Sequence, residues 1–329
     1  MGASDDRMSA EDRLIADYFK PIATHPGALG LTDDAAFVTP APGTDVVLKT
    51  DAIIGGVHFF PEDDARDVAR KALRVNLSDL AAKGATPLGF LVSLALPKDT
   101  GADWLRRFAL GLSEDAEAYH CPLFGGDTDR TPGPVMISIS MFGSVPSGAL
   151  VRRAGAKAGH RVFVTGTIGD AALGLVLRQG ATWNLSAGQR DRLLSRYLLP
   201  QPRNALAEVV RAYASAAMDV SDGLAGDLTK LCRVSGVAAT IDVAAVPLSD
   251  AARAAIGIDP AMRETALTGG DDFEILCTVP PARADAFRAA AQAAGVPVTD
   301  VGAIEAGQGA HFLDAGRELT FKRLSFSHF

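Results

Sequence analysis

Cysteine is scarce in this chain: its 329 residues include only Cys121, Cys232 and Cys277, with no pairing pattern and no short ligand spacing between them. That excludes a disulfide framework and leaves a reducing cytoplasm as the expected compartment. Positive charge is also short, with 32 Lys and Arg against 39 Asp and Glu and a net charge of -7. With a pI near 5.4, this argues against a nucleic-acid partner, because such binding rests on Lys and Arg neutralising phosphates. An acidic protein can still hold phosphates through metal ions. No apolar run reaches membrane length, and Met1 to Leu14 mixes charged and small residues around no apolar signal core, so neither a membrane partner nor export is expected.

Several common catalytic signatures are missing as well. There is no Gly-Lys-Ser/Thr phosphate loop, no kinase-type glycine-rich loop with its catalytic Asp motif, no His-Glu-x-x-His and no serine nucleophile elbow. His25, His58, His120, His160, His311 and His328 show no metal-ligand spacing. No side chain therefore presents itself as nucleophile or general base.

What remains is 48% hydrophobic, enough for a full core and long enough for two domains. Periodicity predicts a helix from Ser9 to Lys20, with Ser9 and Asp12 resembling a capping box, a β-branched strand at Asp45 to Lys49, and a helix over Asp64 to Lys83. A strand at Phe90 to Leu96, a helix at Asp103 to Tyr119 and an alternating strand at Val135 to Val145 follow. The Gly-punctuated connector Arg152 to Gly159 marks the expected boundary between domains 1–150 and 151–329. Beyond it, strands near Arg161 to Thr165, Ala238 to Val243, Phe273 to Val279 and Pro297 to Ile304 are expected. They alternate with helices over Ala171 to Arg178, Ser186 to Leu198, Asn204 to Tyr213, Leu224 to Val234 and Ala282 to Ala294, which makes a second α/β unit.

The most informative stretch is Met218-Asp219-Val220-Ser221-Asp222-Gly223-Leu224, whose two carboxylates lie three residues apart. Similar settings recur at Thr32-Asp33-Asp34, Lys49-Thr50-Asp51, Asn76-Leu77-Ser78-Asp79 and Gly125-Gly126-Asp127-Thr128, each an acid beside a hydroxyl, amide or glycine. All are expected where a strand, a turn and a helix meet. Two carboxylates about 4 Å apart repel by roughly 4 kcal/mol at an effective dielectric of 20, so a cleft of acids needs protons or cations. Magnesium takes hard oxygen ligands, usually one or two carboxylates per ion plus water and phosphate oxygens. One such acid alone reads as well as a helix cap or a turn residue; the repetition favours a metal site. Gly125-Gly126 would let backbone N–H groups approach phosphate, or would simply form a tight turn. The turn Gly166-Thr167-Ile168-Gly169 reads more simply as a change of direction.

In order along nearly the full length, these motifs resemble the thiamine-monophosphate kinase family of the AIR synthetase-like superfamily. The resemblance rests on Thr32-Asp33-Asp34-Ala35, Thr50-Asp51 with His58-Phe59, Asn76 to Ala82, Gly125-Gly126-Asp127-Thr128 and Arg153-Ala154-Gly155-Ala156. It continues through Asp219 to Leu224 and Gly269-Gly270-Asp271-Asp272-Phe273-Glu274. It implies a two-domain PurM-like α+β/α/β fold, in which an N-terminal mixed sheet with helices dimerises and a C-terminal α/β domain follows. It further implies that Asp34, Thr50, Asp51, Asp79, Asp127, Asp219 and Asp222 hold several Mg2+ ions and that Gly126, Arg153 and Ser221 contact ATP as co-substrate. His58, Asp271 and Phe326, the last within the closing Ser325-Phe326-Ser327-His328-Phe329, would face thiamine monophosphate. The chain departs from the pattern at Lys49, where the family often has a metal-holding serine. It also has Thr32 for a glycine, Asp271 for a glutamate and Phe326 for a tyrosine or tryptophan.

The implied reaction suits a chain without a base, since a phosphate monoester with a second pKa near 6 is already a nucleophilic dianion at neutral pH. Rival readings are the sister enzymes of the superfamily and a non-catalytic magnesium-ATP sensor. The sister selenophosphate synthetases need a reactive Cys or selenocysteine near the N-terminus, and the hydrogenase-maturation enzymes need a C-terminal Cys; neither occurs here. His58-Phe59, the Asn76 to Ala82 motif and the terminal aromatic group argue against AIR synthetase.

Overall fold

The computed structural model describes residues 13–325. The chain forms two units, one of residues 1–77 and 87–147, the other of residues 78–86 and 148–329. The expected N-terminal helix is helical throughout its described part, but from Ile15 it winds as a π-helical turn over Ile15–Phe19 and a 3-10 turn over Lys20–Ile22. Pro21 lacks the N–H that an α-helical continuation would use. Ser9 and Asp12, the expected capping pair, lie outside the described residues.

The first unit carries a four-stranded sheet in the order β1-β4-β2-β3. Its strands are β1 (Thr44–Ile54), β2 (Thr86–Leu96), β3 (Leu123–Arg130) and β4 (Met136–Pro146). β1 and β4 are antiparallel, with Thr50 opposite Ser140, and β2 runs parallel to β3, with Val92 opposite Gly126. On β4 every second residue from Ile137 through Val145 is buried, the alternation of a sheet with one covered face. β1 does the reverse at Val46 and Leu48, which are exposed.

Helices α1 (Ala65–Ala82) and α2 (Ala102–Ala118) follow the predicted spans closely. Leu73 and Leu77 of α1 and Phe108 and Leu112 of α2 are fully buried. The two helices are tied by a bidentate pair, Arg74 Nε to Asp115 Oδ2 at 2.6 Å and Nη2 to Oδ1 at 2.9 Å. Asp64, just before α1, accepts from the Arg66 N–H at 3.0 Å and pairs with Arg107 of α2. That hydrogen-bonded ion pair holds its carboxyl below the usual range.

The second unit is built on a seven-stranded sheet, β11-β10-β7-β9-β5-β8-β6. Its strands are β5 (Arg161–Thr165), β6 (Ala216–Asp219), β7 (Ala238–Asp242), β8 (Ile275–Val279), β9 (Val298–Glu305), β10 (Gly309–Asp314) and β11 (Arg317–Glu318). β6 and β8 are buried throughout, as expected of strands covered on both faces. Val162 and Val164 of β5 join one core with Met218, Leu228, Ile241 and Phe312. Phe163 between them points to another, with Ala81, Ala82, Val210, Cys277 and Phe287. The helices are α3 (Asp170–Arg178), α4 (Ala187–Leu198), α5 (Ala207–Tyr213), α6 (Leu224–Ser235), α7 (Asp250–Ile258), α8 (Met262–Thr268) and α9 (Ala284–Ala293). α7 and α8, absent from the sequence expectation, complete a third core with α3 and α4 through Leu173, Leu193, Ala252 and Ala266.

Candidate functional site

The acidic motifs do not all stand at strand–turn–helix junctions, and here the structure corrects the sequence expectation. Thr50 and Asp51 lie within β1, Asp79 lies inside α1, and Gly125-Gly126-Asp127 belong to β3. A side chain on Gly126 would place its Cβ 1.9 Å from the Val92 carbonyl oxygen, so close parallel pairing, not a tight turn, demands glycine at this position. Only the Asp219 to Gly223 segment fits the expectation: β6 ends at Asp219 and α6 begins at Leu224.

In the first unit, Asp33, Asp34, Gly125, Gly126, Asp127 and Thr128 line a cavity of about 750 Å³. Ser93 and Ser140 add hydroxyls to its wall, and Phe19, Leu48, Phe124 and Phe142 add apolar surface. Asp34 and Asp127 therefore share one concavity. Asp51 is engaged by Lys49 at 3.1 Å, so the lysine that departs from the family pattern neutralises a carboxylate of the same motif. The Ser140 Oγ donates to Thr50 Oγ1 at 3.4 Å across the β1–β4 pair.

His58 is fixed by the turn after β1. Its Nδ1 accepts from the Ile54 N–H at 3.0 Å, and its carbonyl accepts from Lys71 Nζ at 2.9 Å. An accepting Nδ1 leaves the proton of a neutral ring on Nε2, which makes His58 a donor there. Asn76 is fully buried and donates to the Ala72 carbonyl at 3.0 Å, while its Oδ1 has no hydrogen-bond partner among the described residues.

In the second unit, Asp219 is 4% exposed and accepts from the buried Ser78 Oγ at 2.8 Å. Asp79 follows on the last turns of α1, half-buried. The segment after β6 is locked by two partners. Asp227 in the first turn of α6 accepts the N–H groups of Ser221 and Asp222 at 3.0 and 2.9 Å. Opposite, the Ser221 and Val220 carbonyls accept from Asp271 and Phe273 at 2.9 and 2.8 Å. Gly223 turns with φ +108°, which a residue with Cβ resists.

Asp271 and Phe273 hold φ of +71° and +50°, a strained backbone for non-glycine residues. Buried carboxylates on either side anchor that strain. Asp272 is 0% exposed and accepts from the Gly169 N–H at 2.7 Å, and burial drives its carboxyl well above the usual range. Glu274, also 0% exposed, accepts from Thr165 Oγ1 at 2.6 Å, Arg196 Nη2 at 2.7 Å and Arg203 Nε at 2.7 Å. The glycine–acid motif thus mixes one half-buried acid, Asp271, with two that serve the fold.

Arg153 is exposed, and its carbonyl accepts from Ser235 Oγ at 3.4 Å. Its neighbour Arg152, with Arg211 and Ser215, lines a separate open cavity of about 510 Å³. Phe326 lies outside the described residues. The chain leading to it is packed: Phe321 stands edge-on to Phe312 at 5.3 Å, and the Lys322 N–H donates to Glu264 Oε1 at 2.6 Å.

Asp227 and Lys230, which shape the Asp222 segment, escaped the sequence reading. Their three-residue spacing on one helix face was the available signal. Lys230 pairs with both Asp222 and Asp227. Burial raises the Asp227 carboxyl, with Lys230 opposing the shift.

Among the described residues, no three or more His, Cys, Asp or Glu are gathered into a ready-made metal cage. The donors are nonetheless hard oxygens, from carboxylate, hydroxyl and amide. Magnesium, which draws its remaining ligands from water and phosphate, suits such a sparse set.

The family profile for the AIR synthase related protein N-terminal domain matches residues 32–145, and that for the C-terminal domain matches residues 157–314. The chain is 42% identical over 318 residues to the thiamine-monophosphate kinase of Caulobacter vibrioides, covering 95% of this chain and 89% of that one. It is 38% identical to the enzyme of that name from Escherichia coli, covering 97% and 98%. The crystal structure of thiamine-monophosphate kinase from Stenotrophomonas maltophilia superposes with a TM-score of 0.84 at 37% identity, over 95% of this chain and 98% of that one. That of AaThiL complexed with AMPPCP and TMP gives 0.78 at 32%, over 90% and 91%. The hydrogenase maturation protein HypE shares the fold, with a TM-score of 0.78 at 21% identity over 97% of each chain. The chain belongs to the AIR synthase related family, and within it to the thiamine-monophosphate kinases.

Proposed function

We propose that the protein transfers the γ-phosphoryl group of ATP to the phosphate of thiamine monophosphate, giving thiamine diphosphate and ADP by direct in-line displacement. The observation that carries this reading is the wall of the larger cavity. Beside its apolar side chains it is lined by acids, hydroxyls and glycines, with no His, Cys, Lys or Arg among the described lining residues. Such a wall suits cation-neutralised phosphate, with its carboxylates engaged by cations and not acting as a general base. The acceptor needs none: its dianionic phosphate oxygen forms the new P–O bond as the bond from the γ-phosphorus to the β–γ bridging oxygen breaks, and no proton has to move.

Asp34, Thr50, Asp51, Asp79, Asp127, Asp219 and Asp222 would hold Mg2+, which supplies charge neutralisation and polarisation of the transferred group. Gly126, Arg153 and Ser221 would contact ATP, while His58, Asp271 and Phe326 would contact the thiamine ester. The donor at His58 Nε2 fits an anionic acceptor, and the locked Asp219 to Gly223 segment keeps its two carboxylates from relaxing when metal and nucleotide arrive. The protein would act in the cytoplasm as a homodimer joined through the exposed β1 face that carries Val46 and Leu48.

The test incubates the protein with ATP, magnesium and thiamine monophosphate, with free thiamine as the parallel acceptor, and follows products by chromatography. Thiamine diphosphate formed from the monophosphate alone is expected. Phosphorylation of free thiamine would require a wall carboxylate to act as general base and would count against this reading. ATP binding without transfer to either acceptor would support a magnesium-ATP sensor or a sister enzyme instead.

A further inference from the structure

Lys230 pairs with the Asp219 to Gly223 segment through Asp222. It stands one turn along α6 from Asp227, on the same helix face, and donates to Asp227 Oδ1 at 2.8 Å while also pairing with Asp222 Oδ2. Asp227 is fully buried, whereas the side chains of Lys230 and Asp222 are 29% and 38% exposed. One end of the bridge is therefore fixed in the protein and the other lies near solvent. Asp227 has a second task, because its other oxygen accepts both the Ser221 and Asp222 N–H groups. That fixes the peptide from which the Asp222 side chain springs.

We propose that Lys230 is the resident counter-ion of the Asp222 carboxylate, and that a divalent cation binds there by exchange with it. Asp227 is the positioning residue that aims both Asp222 and Lys230. The inference rests on the reading of Asp222 as a metal-holding carboxylate.

An ammonium and a divalent cation on the same carboxylate oxygen repel each other, so arrival of the ion must turn the flexible lysine stem outward. Asp227 retains one contact for it throughout. Until an ion arrives, the pair compensates Asp222, an acid close to buried Asp227. The pair lowers affinity for free metal, which leaves the site responsive to an ion delivered with nucleotide phosphates.

The experiment compares wild type with Lys230→Met by calorimetric titration of Mg2+, without nucleotide or thiamine ester. Removing the competing charge should tighten binding by about fivefold or more. In parallel, acetylation of Lys230 in the wild-type protein is followed by mass spectrometry with and without Mg2+. Labelling of Lys230 should rise with Mg2+, and this response should vanish in Asp222→Asn. Affinity in Lys230→Met equal to or below wild type, or Lys230 labelling that ignores Mg2+, overturns the proposal. The labelling arm stands even if the variant folds poorly. Thiamine diphosphate formation by wild type is measured separately: its absence counts against the kinase reading, whereas an active kinase without the exchange signature defeats the counter-ion alone.

Discussion

Replacing Asp219 by asparagine removes one charge and almost no volume. The side chain is 4% exposed and accepts from Ser78 Oγ at 2.8 Å, a bond that the carbonyl oxygen of an asparagine can keep. Folding should therefore change by no more than about 1 kcal/mol, since loss of a buried charge offsets a weaker hydrogen bond. Turnover should respond differently. A unit charge about 4 Å from the cations that neutralise the transferred phosphoryl is worth about 4 kcal/mol at an effective dielectric of 20, or nearly a thousandfold in rate. Urea melts of both proteins, set beside steady-state release of ADP with thiamine monophosphate as acceptor, separate the two effects. Activity within tenfold of wild type, or a stability loss large enough to account for the activity loss, would refute the reasoning.

Three further outcomes are expected. Asp115→Asn leaves Arg74, whose side chain is 7% exposed, without its bidentate partner, and urea unfolding should show a loss of about 3–5 kcal/mol. Burial pushes the Cys121 and Cys277 thiols up to about 12 and Cys232 to about 11, so native protein at pH 8 should not react with a thiol reagent, while denatured protein exposes all three. Because these folded values lie above the ordinary 9.0, the associated stability is fully present below pH 9 and is lost as pH rises from there toward 12, which urea midpoints at rising pH would register. Leu48→Glu, at a residue 71% exposed, should abolish the proposed dimer in sedimentation without lowering the melting temperature of the monomer.

Much of the architecture could be read from periodicity. α1, α2, β4, β5 and α6 lie within a residue or two of their expected limits; α2 and β4 each bury one face of a regular repeat, and β5 is a short apolar run. β3 was misread because two successive glycines signal a turn in any local reading. The reason for the second, Gly126, lies about thirty residues away, at the Val92 carbonyl. α7 and α8 were passed over although Ser249 caps the first, its Oγ accepting from the Ala252 N–H at 3.0 Å. With 9 and 7 residues, the two helices span too few turns to establish a period. At the site, the acids themselves were visible, but not which would be spent on the fold. Asp272 and Glu274 differ from Asp271 only through Gly169, Thr165, Arg196 and Arg203, distant partners that no local spacing reveals.

The boundary between the two units cuts through α1 after Leu77 and returns residues 78–86 to the second unit. Modularity is thereby lost at the level of the gene. A clone beginning at Gly148 would lack the Ser78 hydroxyl on Asp219, the 2.7 Å bond from Lys83 Nζ to the Ala217 carbonyl, and the small side chains of Ala81 and Ala82 in the core around Phe163. Chimeras between this chain and a relative would keep both units intact only with three crossovers, after Leu77, Thr86 and Ser147. A single exchange near residue 150 would pair one parent's Asp219 with the other parent's Ser78 segment, so recombination should tolerate divergence there far less than the linker-like Arg152 to Gly159 sequence suggests.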